Sequence, residues 1–115
     1  MPFAPKPAHL LTILLRRRDR AAAEGLFLEG SAEYEAGNLA DARSMFLFGS
    51  LLDRTLAGNH FNYAVTVEKM EGEGRASLKA WRRYLKAANA DPKQTEENKA
   101  VARGRVAAIA QRLTQ

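Results

Sequence analysis

The residues able to do chemistry in this chain are few and scattered. His9 and His60 are its two histidines, and neither sits in a metal-ligand spacing. His60 follows Asn59 and reads as a loop or helix-start residue rather than a general base. Gly72-Glu73-Gly74-Arg75 has the glycines of a phosphate-binding loop. It lacks the preceding strand and the Lys-Ser/Thr that such a loop requires, so it reads as a turn between helices. Glu33, Glu35 and Asp41 are possible proton carriers, but the sequence identifies no partner for any of them. No residue is cysteine, which excludes disulfides, thiolate metal ligands and a cysteine nucleophile. The expectation is a protein that is not an enzyme and takes no metal or cofactor.

With catalysis set aside, surfaces remain, and the elements that build them are visible as a repeat. Shifting the chain by 35 residues places Leu26 on Phe61, Gly37 on Gly72, Ala42 on Ser77, Phe46 on Trp81 and Gly49 on Tyr84. Self-similarity at this period marks a helical hairpin used more than once. In the first copy one helix opens around Leu26–Gly30, carries Tyr34 and ends at Glu35-Ala36-Gly37-Asn38. The second helix starts at Leu39-Ala40-Asp41-Ala42 and runs through Phe46 to Leu51-Leu52-Asp53. Gly37 fits a position past a helix end where φ is positive, and Asn38 tolerates the same region. Helices cross closely only where side chains are small, so Gly30, Ala42, Ala64 and Ser77 are expected at the crossings. Phe46 and Trp81, one turn beyond Ala42 and Ser77, are expected to fill the space next to them. Strand signals are nearly missing. Tyr63-Ala64-Val65-Thr66-Val67 favours a strand by residue type, but the repeat register makes it helical.

This pattern resembles the tetratricopeptide repeat, in its bacterial type, over roughly residues 21–92. Gly30, Tyr34, the Gly37-Asn38 turn, Ala42, Phe46 and Asp53 match the family's small residue, aromatic, turn, crossing residue, second aromatic and exit. Arg54 replaces the exit proline. The second copy is looser: Asn62-Tyr63-Ala64, Gly72, Ser77, Trp81 and Tyr84-Leu85 match, and Asp91-Pro92 comes a few residues late. The resemblance implies an all-α, right-handed solenoid of antiparallel helix hairpins with N- and C-terminal capping helices. It also implies that the first helix of each hairpin lines a concave groove for a peptide or a partner helix. The groove residues it points to are Phe27, Ser31, Tyr34 and Glu35 in the first copy, and Asn62, Thr66 and Lys69 in the second. Asn62 is foremost, because its amide pairs both donor and acceptor with a peptide backbone. In the competing reading Phe27 and Tyr34 belong to the core. Glu29 and Glu33 stand where the family often has apolar residues. Family members that clamp carboxylate tails use Lys and Asn where this chain has Phe27 and Ser31, so that activity is not expected.

The flanks divide the chain into residues 1–20, 21–92 and 93–115. Met1–Pro7 contains three prolines and reads as an extended lead-in. Ala8–Leu15 then forms a short apolar stretch ahead of Arg16-Arg17-Arg18-Asp19-Arg20. The basic cluster follows the apolar residues, opposite to a secretory signal, and the stretch is far short of the ~20 residues a membrane helix needs. Leu10, Leu11, Leu14 and Leu15 share a helical face. They are expected to cap the first repeat, with docking on a partner or an anionic membrane surface as the alternative. At the other end Thr95-Glu96-Glu97 reads as a capped helix start. Ala100, Val101, Val106, Ile109, Ala110 and Leu113 supply the apolar stripe of a closing helix.

Two repeats cannot bury their own apolar faces, so cover from the flanks or a partner is required. Charge is segregated: residues 1–20 hold five basic side chains against one acidic, 21–74 hold three against nine, and 75–115 hold ten against three. The basic ends therefore suit an acidic partner, or the acidic middle of a second copy. The leading expectation is a cytoplasmic adaptor, or a small subunit of a larger bacterial assembly, with another protein as partner. The alternatives are a chaperone holding a secretion substrate in the groove, and a basic module on nucleic acid or membrane. Nucleic acid ranks low. Arg82, Arg83 and Lys86 lie beside Trp81 and Tyr84, but those aromatics are expected inside and no recognition motif is present.

Overall fold

The stop signals in the sequence end helices, and where they are missing the helix runs on. The computed structural model describes residues 7–115, with side chains from Leu14 onward. Five helices follow one another: α1 (Pro7–Glu35), α2 (Leu39–Leu52), α3 (Ala57–Glu71), α4 (Arg75–Ala90) and α5 (Glu96–Leu113). The fold is all-α, with no strand among the described residues, and the Tyr63–Val67 run lies within α3.

Gly37 closes α1 with φ of +87°. Its N–H donates to the Tyr34 carbonyl, and the Asn38 N–H donates to that of Glu33 at 2.9 Å. Those two bonds satisfy carbonyls that a helix end leaves free. Gly72 closes α3 with φ of +79°. Asn38, expected to share the left-handed region, instead has φ of −83°, and its amide donates to Glu33 Oε2 at 2.7 Å. After Gly72, the Ser77 hydroxyl accepts the Gly74 N–H at 2.9 Å and holds the start of α4.

The N-terminal segment differs from expectation. No glycine or proline lies between Arg16 and Glu24, and arginine and alanine favour the helix. The stretch around Leu14–Arg20 is therefore a continuation of α1 rather than a separate helix folded back. Leu14 is 60% exposed and Leu15 38%. They sit about 13 Å along the axis from Ala23, which is buried. Leu14 and Leu15 thus do not cap the first helix pair. The side chains of Leu10 and Leu11, and the lead-in up to residue 6, lie outside the described residues.

Each helix packs on the next, and α1 also touches α3. Small residues make this possible. Ala42, Ala64 and Ser77 are fully buried. A methyl group on Gly30 would come within 2.7 Å of the Phe46 ring, and one on Gly49 within 2.6 Å of the Asn59 amide. Ala42 and Ser77, and Phe46 and Trp81, which the 35-residue shift pairs, are all buried. The larger core lies among α3, α4 and α5, where Trp81, Tyr84, Ala88, Ala102 and Ile109 meet. Phe61 sets its ring edge-on to Trp81 and Tyr84, with centroids 5.3 and 5.0 Å away.

Two buried polar side chains tie distant segments together. Asn59, the third residue of α3, has no exposed surface. Its amide donates to the Ala23 carbonyl of α1 at 3.1 Å. Asp91, in the connection after α4, accepts the Ala57 N–H at the start of α3 at 3.1 Å and the Lys93 N–H at 3.0 Å. The last helix starts as expected, with the Thr95 hydroxyl accepting the Asn98 N–H at 3.1 Å. Its buried face is shifted, however. Ala102 and Ile109 are buried, Val106 and Ala110 are half-buried, and Ala100, Val101 and Leu113 are exposed. Residues 102, 106 and 109 recur at helical spacing, and Val101 falls a step to the side.

Candidate functional site

Glycine and alanine at the contact bring α1 and α3 close, and the larger side chains beside it enclose a cavity of about 160 Å³. Ser31, Tyr34 and Glu35 of α1, Asn62, Val65 and Thr66 of α3, and Phe46 of α2 line it. Five of the seven residues singled out by the sequence thus meet at one place. The sixth, Lys69, holds its ammonium 5.2 Å from the centre of the Tyr34 ring, which draws the two rim residues together by a cation–π contact.

The hydroxyls have a defined polarity. Ser31 Oγ donates to the Phe27 carbonyl and Thr66 Oγ to the Asn62 carbonyl, each at 2.7 Å. Their protons are committed to their own helices, and what remains for a ligand is acceptor capacity. The Asn62 side-chain amide has no hydrogen-bond partner among the described residues and is half-buried at the wall. The cavity is therefore apolar at Tyr34 and Val65 and hydrogen-bonding at Asn62 and Ser31, with Phe46 and Thr66 buried behind its wall and Glu35 among its lining residues.

Phe27 is elsewhere. Its ring packs against Gly58, where an added methyl would meet it at 3.0 Å. It also lines a different cavity with Glu24, Leu28, Leu56, Asp91 and Gln94. The ring is half-buried between α1 and α3, apart from the other six residues. Phe46 and Val65 were not among the residues singled out for the site. Val65 was findable, because it lies one turn beyond Asn62 on the same face. Phe46, expected to fill the space beside the crossing, is buried there and also borders the cavity.

His60 lies in another cavity, with Ser50, Leu51, Arg54, Thr55, Arg83, Lys86, Ala87 and Ala90. Its Nε2–H faces the Arg54 carbonyl at 3.3 Å. Burial lowers its pKa below 6.5, against the raising effect of that hydrogen bond, and Arg83 and Arg54 lower it further. Arg54 from the α2–α3 connection and Arg83 and Lys86 from α4 face it; α2 contributes only Ser50 and Leu51. The folded state therefore binds fewer protons at His60 than the unfolded chain. Its contribution is intact above about pH 6.5 and is lost as pH falls through the lowered value. Thermal melts of a His60→Gln variant, which keeps an N–H donor, are expected to show a shallower decline below that pH than the parent. Parallel declines would remove His60 as the cause.

No group of three or more histidine, cysteine or carboxylate side chains among the described residues is placed to hold a metal. No described helix is long and apolar enough to cross a membrane. The fold and site together define an all-α array of sequentially packed helices with a small mixed-polarity cavity between its first and third members. No protein-family model, curated protein or solved structure matches the chain.

Proposed function

We propose that the chain is a non-enzymatic protein-interaction module of the tetratricopeptide-repeat type, an adaptor or small subunit of a larger assembly in the cytoplasm. In this reading α1–α2 and α3–α4 are successive hairpins of a short right-handed solenoid, and a peptide or helix of another protein lies in the groove along α1 and α3. One observation carries it: Ser31 and Thr66, at equivalent places in the two copies, line one cavity with Tyr34 and Asn62, and Lys69, equivalent to Tyr34, sits over the Tyr34 ring. Its ~160 Å³ is well under the ~300–1,000 Å³ of small-molecule pockets. That volume suits one anchoring side chain of a partner, seated on Phe46 and Val65, while Asn62 pairs with the adjoining backbone.

The test begins with whatever protein stays bound to the full chain through purification at moderate salt, identified by mass spectrometry. Its affinity is then measured by calorimetry for the parent and for Asn62→Ala. Losing the amide should cost about 1–3 kcal/mol, the range for a buried hydrogen bond left unmade, with the far-ultraviolet circular dichroism unchanged. An Asn62→Ala protein that binds as tightly as the parent removes Asn62 from the site.

A further inference from the structure

The outer face of α4 carries an uncompensated charge that the groove reading does not use. From Arg75 to Ala90 the helix contains no acidic residue. Arg75, Lys79, Arg82, Arg83 and Lys86 recur at spacings of three and four, so like charges neighbour one another over about 16 Å of helix. Such like-charge pairs destabilise a helix instead of supporting it. Several cations elsewhere are matched: Arg20 faces Asp53, Arg43 faces Glu71, Lys99 and Arg103 face Glu96, and Arg105 and Arg112 face Glu73. On α4 the five cations have no carboxylate partner among the described residues, and neither does Arg54. The acid next to Arg54, Asp53, is already engaged by Arg20 and by the Thr55 hydroxyl and N–H.

These cations surround two adjoining hollows. One, of about 400 Å³, is framed by Arg54, His60, Arg83 and Lys86 with Leu51, Ala87 and Ala90 as its apolar wall. The other, of about 420 Å³, is framed by Arg75, Lys79 and Arg82 around Leu78, and it shares Arg83 and Lys86 with the first. No lining residue of either belongs to the α1–α3 cavity. Leu51 is 57% exposed, and Phe48, one turn earlier on α2, is equally open.

We propose that this basic channel, from Arg54 and His60 along α4 to Arg75, is a second binding site that takes an acidic segment of a partner protein carrying leucine-like side chains between its carboxylates. The cations select a polyanion, and the apolar wall selects among polyanions. A bare phosphate backbone has nothing to place on Leu51, Ala87 and Ala90. No phenylalanine, tyrosine or tryptophan on which single-stranded bases would stack lines either hollow, and Trp81 and Tyr84 of α4 are buried. An acidic peptide with interspersed leucines satisfies both halves and relieves the repulsion along α4.

The probe is a short fluorescein-labelled peptide of interspersed glutamate and leucine, titrated with the full chain and followed by anisotropy. The controls are the same peptide with glutamine for glutamate, and a labelled oligonucleotide of similar charge. The glutamate peptide is expected to bind best, with affinity falling as salt rises. Arg54→Gln/Arg83→Gln should weaken it by about tenfold or more, with circular dichroism unchanged. Arg103→Gln, which removes the same kind of charge from α5, should leave it unaltered. Equal or tighter binding of the oligonucleotide overturns the proposal in favour of a nucleic-acid surface. Equal loss in Arg103→Gln overturns it in favour of net charge alone. Salt-sensitive self-association of the chain that excludes the peptide overturns it in favour of a second copy as occupant. The site is independent of the α1–α3 groove, so its failure leaves Asn62 untouched.

Discussion

Replacing Trp81 with alanine is expected to destabilise the protein by about 3–5 kcal/mol, the usual cost of emptying a large aromatic site in a packed core. For a domain whose whole stability lies in the range of about 5–15 kcal/mol, that is close to unfolding. The reason is the position of the ring. Trp81 is 2% exposed, lies edge-on to Phe61 and belongs to the cluster that joins α3, α4 and α5. Its Nε1–H also donates to Glu68 Oε1 at 3.2 Å. The same oxygen accepts from Arg105 Nε at 2.9 Å, and Arg105 and Arg112 converge on Glu73. Hydrogen bonding to Glu68 raises the Arg105 pKa above its ordinary value, and the guanidinium, charged at any accessible pH, bridges α5 to α3. Trp81→Phe separates the two contributions. It keeps most of the apolar contact and loses one hydrogen bond of roughly 1 kcal/mol, while Glu68 retains Arg105. Urea titrations of both variants, with the slope of the transition checked against the parent, provide the comparison. An alanine variant within about 1 kcal/mol of the parent would mean that α5 does not rest on this cluster.

What was legible in the sequence was what depends on single residues and their near neighbours. Gly37 and Gly72 announce positive-φ helix ends because other residues pay a steric penalty there. Ala42 and Ser77 announce crossings because little else fits between two backbones. Ser31, Tyr34, Asn62 and Thr66 come together because four-then-three spacing fixes a helix face wherever the helix goes. What was not legible depended on partners far along the chain. Asn59 stands near the start of α3, yet its amide pairs with the Ala23 carbonyl, 36 residues away, in the space Gly49 leaves for it. Phe27 shares the face of Ser31 by spacing, and nothing local shows that its ring lies against Gly58. The phase of α5 slipped because Ala100, Val101 and Ala102 are all apolar, and only the packed α4 decides which one faces inward. The length of α1 is legible locally: the basic run after Leu15 holds no helix-breaking residue, and the helix continues through it.

Asp91 illustrates the other limit, because its part in the fold is invisible until α3 and the α4–α5 connection are seen together. The residue is only 5% exposed. Oδ2 accepts the N–H of Ala57, the first residue of α3, and Oδ1 accepts the N–H of Lys93. The residue before Ala57 is Leu56, whose side chain caps nothing. A free N–H at a helix start needs a partner, and here a carboxylate 34 residues away supplies it. The negative charge also lies at the positive end of the α3 dipole, where it is favourable. Asp91→Ala is therefore expected to cost about 2–3 kcal/mol, a lost cap together with a buried donor left unmade. Asp91→Asn should fall between, because an amide offers one oxygen where two N–H groups each require one. Hydrogen exchange identifies the mechanism: the Ala57 amide should lose protection in Asp91→Ala well before the amides in the middle of α4. If Ala57 exchanges as slowly in the variant as in the parent, the cap from the α4–α5 connection is not what holds the start of α3.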